Sequence, residues 1–234
     1  ANNFETVTDF PLFLHVDMNQ VCNYRCPHCI IAYKDEVDAY YEGKYLNFED
    51  FKKIVDEGSE HGCPSISPQG NNEPFLIKDL HKYINYAYKK GFIAIMLNNN
   101  ASALTRRRSQ EALDSGLTRM RFSLDAFTQE TYSKVRVGSL PLKKVIKNID
   151  EFLELKEKGN YKLPITGVSF VKMKQNEHEL DDFINFWKNK VDMVSIQTFT
   201  PPTQNLDKYK KFYATDQLME SEAITEFKCV QPFQ

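Results

Sequence analysis

The stretch Val21–Ile30 reads V-C-N-Y-R-C-P-H-C-I and sets Cys22, Cys26 and Cys29 in the spacing C-x3-C-x2-C. Three thiols so close in sequence reach one soft metal centre only if the backbone curls around it as a loop, which is how an iron-sulfur cluster is held. With three cysteine ligands, a four-iron cluster keeps one iron open to chelation by a small molecule. Zinc is the alternative, since a C-x-x-C pair is half of a tetrahedral site. A second pair is missing, and His28 lies directly between Cys26 and Cys29, where it cannot easily turn inward with them. Ahead of the loop, Leu12–Asp17 (L-F-L-H-V-D) is a nearly continuous apolar run of the length of a buried parallel strand. The cysteines therefore leave the C-terminal end of the first strand, the end that carries chemistry in β/α barrels and open parallel sheets.

Outward from this loop, strand and helix patterns alternate. Asn47 caps a helix carrying Phe51, Ile54 and Val55. Ser65–Ser67 is a short strand, and Leu80, Tyr83, Ile84 and Ala87 lie on one face of the helix after it. Phe92–Leu97 and Leu117–Asp125 are the third and fourth strands, and a helix over Leu142–Lys158 shows a core stripe of Leu142, Val145, Ile149 and Phe152. Ile165–Met173 is the fifth strand, followed by a helix with Leu180, Phe183, Ile184 and Trp187 at helical spacing, and Val191–Phe199 is the sixth. Six strands alternating with helices imply a parallel sheet with right-handed crossovers. The tyrosine-rich stretch Ile31–Leu46 is read equally as a lid or a surface loop.

Polar residues cluster where strands end. Gly70–Pro74 is G-N-N-E-P, by itself an ordinary turn. The third strand runs into N-N-N-A, which suits a strand-to-helix turn with an N-cap at least as well as a ligand contact. The fourth ends S-L-D-A, with Ser123 and Asp125 two apart and so on one face of a strand. Downstream lies Y-S-K-V-R-V-G-S, in which Arg136 is either a surface arginine ending a helix or a forked anion ligand. His178 opens a helix and reads as solvated; Gln197, near the end of the sixth strand, is placed to face a substrate.

With the cysteine spacing, these segments resemble the radical S-adenosylmethionine (radical SAM) superfamily over almost the whole chain. The resemblance implies an α/β fold, a partial (β/α)6 TIM-type barrel of parallel strands, open on one side, with the cluster loop after strand 1. It implies a 4Fe-4S cluster on Cys22, Cys26 and Cys29 whose open iron binds the amino and carboxylate groups of SAM. One electron then cleaves SAM to methionine and a 5'-deoxyadenosyl radical, which abstracts a hydrogen atom from a substrate. Gly70–Pro74 resembles the family's G-G-E-P, which places Gly70, Asn71, Asn72 and Glu73 at the SAM amino group. Asn71 and Asn72 depart from the usual glycines, and asparagine tolerates the positive φ such a turn uses. Asn99 lies nearest the asparagine of the family's T-N-G, S-L-D-A resembles S-L-D-G, and Y-S-K-V-R resembles Y-x-K-x-R-G. That places Ser123 and Asp125 at the ribose or carboxylate of SAM and Arg136 at the carboxylate.

Thirty basic and 32 acidic residues leave a net charge of −2, which offers no general attraction to nucleic acid or acidic membrane. Arg106–Arg108, the one basic run, reads as a solvated helix face, with a phosphate or polyanion contact as the alternative. No apolar run approaches the roughly 20 residues that cross a bilayer, and no signal-peptide order is present, so a cytoplasmic protein is expected. Five cysteines, three of them bunched, do not form a secreted disulfide framework, and Cys63 reads as a small buried residue. Residues 1–199 are expected to form the barrel core and 200–234 an irregular tail. The tail's ending, F-K-C-V-Q-P-F-Q, resembles the entry to the SPASM or twitch extension of radical SAM enzymes, and the Met173–Trp187 wording resembles the same subgroup. Cys229 is then either an auxiliary-cluster ligand in a longer parent protein or a free thiol, the extension being truncated or lost. The subgroup implies a peptide or protein side chain as substrate, with a carbohydrate or aminoglycoside as the alternative, and flavodoxin or ferredoxin as electron donor. A non-catalytic barrel that binds a partner is the rival from another class.

Overall fold

A computed structural model describes residues 9–36, 45–202 and 206–216. Most of Tyr40–Tyr45, and Cys229 with its neighbours, lie outside the described residues. Six parallel strands form one open sheet in the order β1-β2-β3-β4-β5-β6: Phe13–His15, Ser65–Ser67, Ala94–Asn99, Arg119–Ser123, Ile165–Lys172 and Met193–Thr198. Between them run α1 (Phe48–Glu60), α2 (Leu80–Lys89), α3 (Arg106–Leu113), α4 (Gln129–Val135), α5 (Leu142–Lys158) and α6 (Leu180–Trp187), and α7 (Leu206–Tyr209) follows β6. The partial barrel expected from the sequence is the architecture found. Sequential order across the sheet is what right-handed β-α-β crossovers generate when each strand is added on the same side.

Alternation along the strands separates two faces. Ile66, Ile95, Leu97, Met120, Phe122, Val168 and Phe170 are buried toward the helices, against Phe51, Val55, Ile84, Ile149, Phe152 and Phe183. Phe122 meets Phe152 edge-on at a centroid distance of 5.7 Å, and Phe170 lies 4.9 Å from Phe183. Full burial of each such side chain contributes about 1.5–3 kcal/mol. The opposite positions face the lumen, and there the chain is polar: Ser67 on β2, Asn98 on β3, Arg121 and Ser123 on β4, Ser169 on β5, Gln197 on β6. The register aligns Ser123 with Ser169 and Ser169 with Ser195, a rung of hydroxyls across three strands.

The helix starts are capped by their own side chains. Asn47 accepts the Asp50 N–H at 2.9 Å, as its position before the apolar stripe predicts, and Thr105 and Thr128 do the same for α3 and α4. Strand ends differ from the sequence reading. β1 covers three residues rather than six, because only those pair with β2, and Leu12 before them is 62% exposed. β4 stops at Ser123: two residues on, Asp125 takes φ of 60° and turns the chain out of the sheet. No helix among the described residues is long and apolar enough to cross a membrane.

Candidate active site

The cysteine loop closes over the C-terminal ends of the strands through main-chain bonds to its neighbours. Glu73 N–H donates to Val21 O at 2.9 Å, Arg25 N–H to Val137 O at 2.8 Å, and Cys29 N–H to Cys26 O at 2.9 Å. Asn side chains lace the same loops together. Asn19 Oδ1 accepts from the Val21 N–H and from Asn72, and Asn100 donates to Asn23 Oδ1 at 3.0 Å. Cys22, Cys26 and Cys29 are free thiols and line one cavity of about 520 Å³. Asn71, Asn72, Glu73, Asn99, Ser123 and Arg136 line it too, as does Gln197. Six of the eight residues expected to touch SAM thus border the space beside the three thiols, while Gly70 and Asp125 stand behind it.

Gly70 is required for close approach: a Cβ there would stand 2.2 Å from Asp17 Cγ. The turn through Asn71 and Asn72 is made without positive φ, so the tolerance expected of asparagine is not used. Glu73 is 2% exposed, and its two oxygens are already engaged, Oε1 by the Phe75 N–H at 3.2 Å and Oε2 by the Asn100 N–H at 2.7 Å. Burial pushes its carboxyl up to about 7, against those two donors and the charge of Arg136. Glu73 therefore fixes the relation between the β2 and β3 loops, with its remaining lone pairs toward the cavity. Asn99 is a turn-former, its amide donating to Arg121 O at 3.2 Å and its Oδ1 accepting the Ala101 N–H.

Asp125 was expected on the same strand face as Ser123, and the structure corrects this. Having left the strand in a left-handed conformation, it is fully buried and pairs with Arg136, Nη2 to Oδ2 at 2.5 Å. His28 Nε2 lies 3.1 Å from the same oxygen and the Val171 N–H donates to the other at 2.8 Å. Burial would raise the Asp125 carboxyl, but Arg136 and His28 hold it below the usual range. His28, between two of the cysteines, turns its ring onto Asp125 rather than toward a site shared with them.

Two groups escaped the sequence reading. Asn176, wholly buried, donates to Asp125 O and Val171 O and accepts the Met173 N–H, tying the ends of β4 and β5. Glu179 accepts the Phe127 N–H at 2.7 Å, the Thr128 N–H at 3.1 Å and the Thr128 hydroxyl, which seats the start of α4 and through it Arg136. The signal for both was a run of polar residues, K-Q-N-E-H-E, directly after a strand, where buried loop backbone needs partners. His178 is solvated as read, its side chain 65% exposed, and Cys63 is buried.

The residues present fit an iron-sulfur cluster and a small polar ligand. Donors are aimed at two of the sulfurs: the Tyr24 N–H at Cys22 Sγ, 3.4 Å, and Arg136 Nη1 at Cys26 Sγ, 3.7 Å. Hydrogen bonds to sulfur stabilise thiolate and set cluster potential. Burial pushes the Cys26 thiol up to about 11 against the pull of Arg136, so cluster assembly displaces a firmly held proton. Among the described residues no three His, Cys, Asp or Glu side chains gather closely enough for a single metal ion. His28 and Arg136 line the cavity, and His28 Nδ1 and Arg136 Nε are buried without a hydrogen-bond partner.

Known proteins agree with this geometry. The family model of the radical SAM superfamily matches residues 16–186. Relatives include a GTP 3',8-cyclase of Clostridium botulinum, 26% identical over 208 residues covering 88% of this chain and 61% of that protein. Another is a PqqA peptide cyclase of Bradyrhizobium diazoefficiens, 28% identical over 174 residues, 74% of this chain and 42% of that protein. The chain thus spans about three fifths, or less, of these two relatives' length. In fold it resembles Streptococcus suis SuiB bound to S-adenosylmethionine, with a TM-score of 0.69 at 19% identity over 92% of this chain and 46% of that one. With the family model covering most of its length and the three-cysteine loop set at the mouth of a six-stranded parallel barrel, this chain belongs to the radical SAM superfamily.

Proposed function

We propose that this chain is the catalytic barrel of an enzyme that cleaves SAM at a three-cysteine 4Fe-4S cluster and removes a hydrogen atom from a substrate in the lumen. The observation that carries the reading is the meeting of three free thiols, two with donors aimed at them, with Glu73, Ser123 and Arg136 on one cavity wall. Cysteines 22, 26 and 29 hold the cluster. When bound, cluster and SAM together supply a carbon radical strong enough to abstract hydrogen from an unactivated C–H bond.

The chain's own part is positioning. Asn71, Asn72 and the backbone before Glu73 receive the amino group of SAM, with the Glu73 carboxyl behind them favouring a cation. Ser123 and Arg136 receive its carboxylate, Arg136 being held in place by Asp125 on one side and Cys26 on the other. Fixing both ends of the ligand restricts the reacting bond to one geometry, and such restriction is worth several orders of magnitude in rate.

For the substrate we favour a peptide or protein side chain, over a carbohydrate. The wall of Gln69, Asn98, Ser169 and Gln197 offers amide and hydroxyl groups that match peptide units. Among the described residues β6 pairs only with β5, which leaves that side of the barrel open to an extended ligand. A purine nucleotide is the second reading, favoured by the GTP 3',8-cyclases among the relatives. Cys229 and the tail are read as the start of an auxiliary-cluster extension, and a flavodoxin or ferredoxin as the reductant.

The test is anaerobic incubation of the cluster-loaded protein with SAM and dithionite, alone, with candidate peptides and with GTP. Release of 5'-deoxyadenosine supports the reading; a fully loaded protein that yields none has the barrel as a binding scaffold instead. A modified peptide or a modified nucleotide then separates the two substrates.

A further inference from the structure

Below the cavity, the lumen face of β4 carries a guanidinium that the SAM site does not use. Arg121 lies between Met120 and Phe122, both buried against the helices, so its side chain points the other way, into the barrel. It is half-buried, and among the described residues its one hydrogen bond runs from Nε to Asn98 Oδ1 at 2.6 Å, with no carboxylate paired to it. Asn98 is itself a cavity-lining residue, with its N–H donating to Gln69 Oε1. On the adjoining strand the register partner of Arg121 is Gly167, and the space a side chain there would take lies against Met193 of β6, which is uncharged. One rung nearer the cysteines, Ser123 and Ser169 present hydroxyls 3.4 Å apart, both on the cavity wall.

A guanidinium stays protonated at any working pH and offers five donors in a planar fork. One of those donors is engaged here, and the groups around the remainder are uncharged. The rest of the site's charge is satisfied internally, since Arg136 is paired with Asp125. Arg119, one rung further down the same face, is exposed, its Cα about 7 Å from that of Arg121. A half-buried cation without a counter-ion, beside hydroxyl and amide donors, matches a ligand that supplies the counter-ion.

We infer that Arg121, with Asn98 and Ser169, forms a lumen subsite for an oxyanion of the substrate, a carboxylate or a phosphate. The inference rests on the reading of the barrel as the substrate chamber, and it gives that chamber a polarity: the anionic end of the substrate lies deep, and the carbon to be attacked lies above it toward the cysteines. An acidic side chain or a nucleotide phosphate both supply the anion, and a neutral sugar does not.

Binding is measured without SAM or turnover, so its failure is separate from failure of the proposed reaction. Inorganic phosphate and malonate are titrated at constant ionic strength into the cluster-loaded, oxidised protein, followed by the Asn98 side-chain amide and the Ser169 backbone N–H signals in NMR. The expected result is a saturable shift with at least one probe, with affinity weakened roughly tenfold or more in Arg121→Gln. In Arg121→Lys, which keeps charge and fold but loses the fork, affinity is expected to fall between the two. Tighter phosphate assigns the site to a phosphate ester, tighter malonate to a carboxylate. No saturable shift with either probe, or equal affinity in the wild type and both variants, overturns the inference.

Discussion

Arg136 Nη2 lies 2.5 Å from Asp125 Oδ2, a buried pair of opposite charges with Arg136 on the wall that faces the cysteines and Asp125 behind it. The pair joins the turn after β4 to the end of α4, and Arg136 carries the link onward to Cys26 Sγ at 3.7 Å. Removing one member leaves the other charged in a low-dielectric site, a cost of about 3–5 kcal/mol. Asp125→Ala is expected to lower stability by that order in urea unfolding. A double variant, Asp125→Asn with Arg136→Met, is expected to recover part of the loss, since no unpaired charge remains.

Glu73 gives the metal-free protein a pH signature. Its carboxyl is held near 7 by burial while the unfolded chain has the ordinary value of 4.5. Between those values the folded state holds a proton that the unfolded state has released, so stability is highest at the acid end and falls as pH rises through 7. At about 1.4 kcal/mol per unit the full effect is on the order of 3 kcal/mol. Denaturant melts of the wild type and Glu73→Gln from pH 4.5 to 8 check it: the stability of the wild type relative to the variant should fall from pH 4.5 to about 7 and level off above. Asp125, held low, acts with the opposite sign and below that window.

Glu179 seats α4 from a distance. Its carboxylate is kept below the usual range because, although burial opposes ionisation, Thr128 and the neighbouring N–H groups favour it. Glu179→Ala leaves two part-buried N–H groups and a hydroxyl without their partner, at the lower end of about 1–3 kcal/mol for such losses. Hydrogen exchange should accelerate at Phe127 and Thr128 first, with the β-strand amides of β3 unaffected. Protection unchanged at those two residues would contradict the role.

The helix-facing half of the barrel was legible because burial writes itself as pattern: Phe92–Leu97 is a near-continuous apolar run, Met120, Phe122, Val168 and Phe170 alternate with polar residues, and Leu142, Val145, Ile149 and Phe152 recur at helical spacing. The cysteines were legible because a cluster loop needs its ligands close together in sequence. What stayed hidden depends on single backbone turns. The positive φ at Asp125 moves a carboxylate from the lumen wall to the rear, and no pattern two residues long distinguishes that from continued strand. The position of His28 follows from a partner 97 residues away, and the ties made by Asn100 and Glu179 reach 77 and 52 residues. Arg121 was passed over within an otherwise ordinary strand; its significance lies in the absence of a nearby carboxylate among the described residues, which only the fold reveals.

Phe122 tests how far the core sets the site. It is fully buried against Phe152, between the lumen residues Arg121 and Ser123. Phe122→Ala removes a large core side chain at about 3–5 kcal/mol. Phe122→Leu should cost less and leave SAM affinity within a small factor of the wild type, as measured by equilibrium dialysis on the cluster-loaded protein.

The central claim is that three thiolates leave one iron open and that SAM chelates it. The direct measurement is the hyperfine coupling of SAM labelled with 15N at its amino group to the reduced cluster, in protein loaded anaerobically with iron and sulfide. A resolved 15N coupling is expected in the wild type, with loss of the cluster signal in Cys22→Ala, Cys26→Ala and Cys29→Ala. A loaded cluster that shows no coupling to the label, or one that survives replacement of all three cysteines, would contradict it.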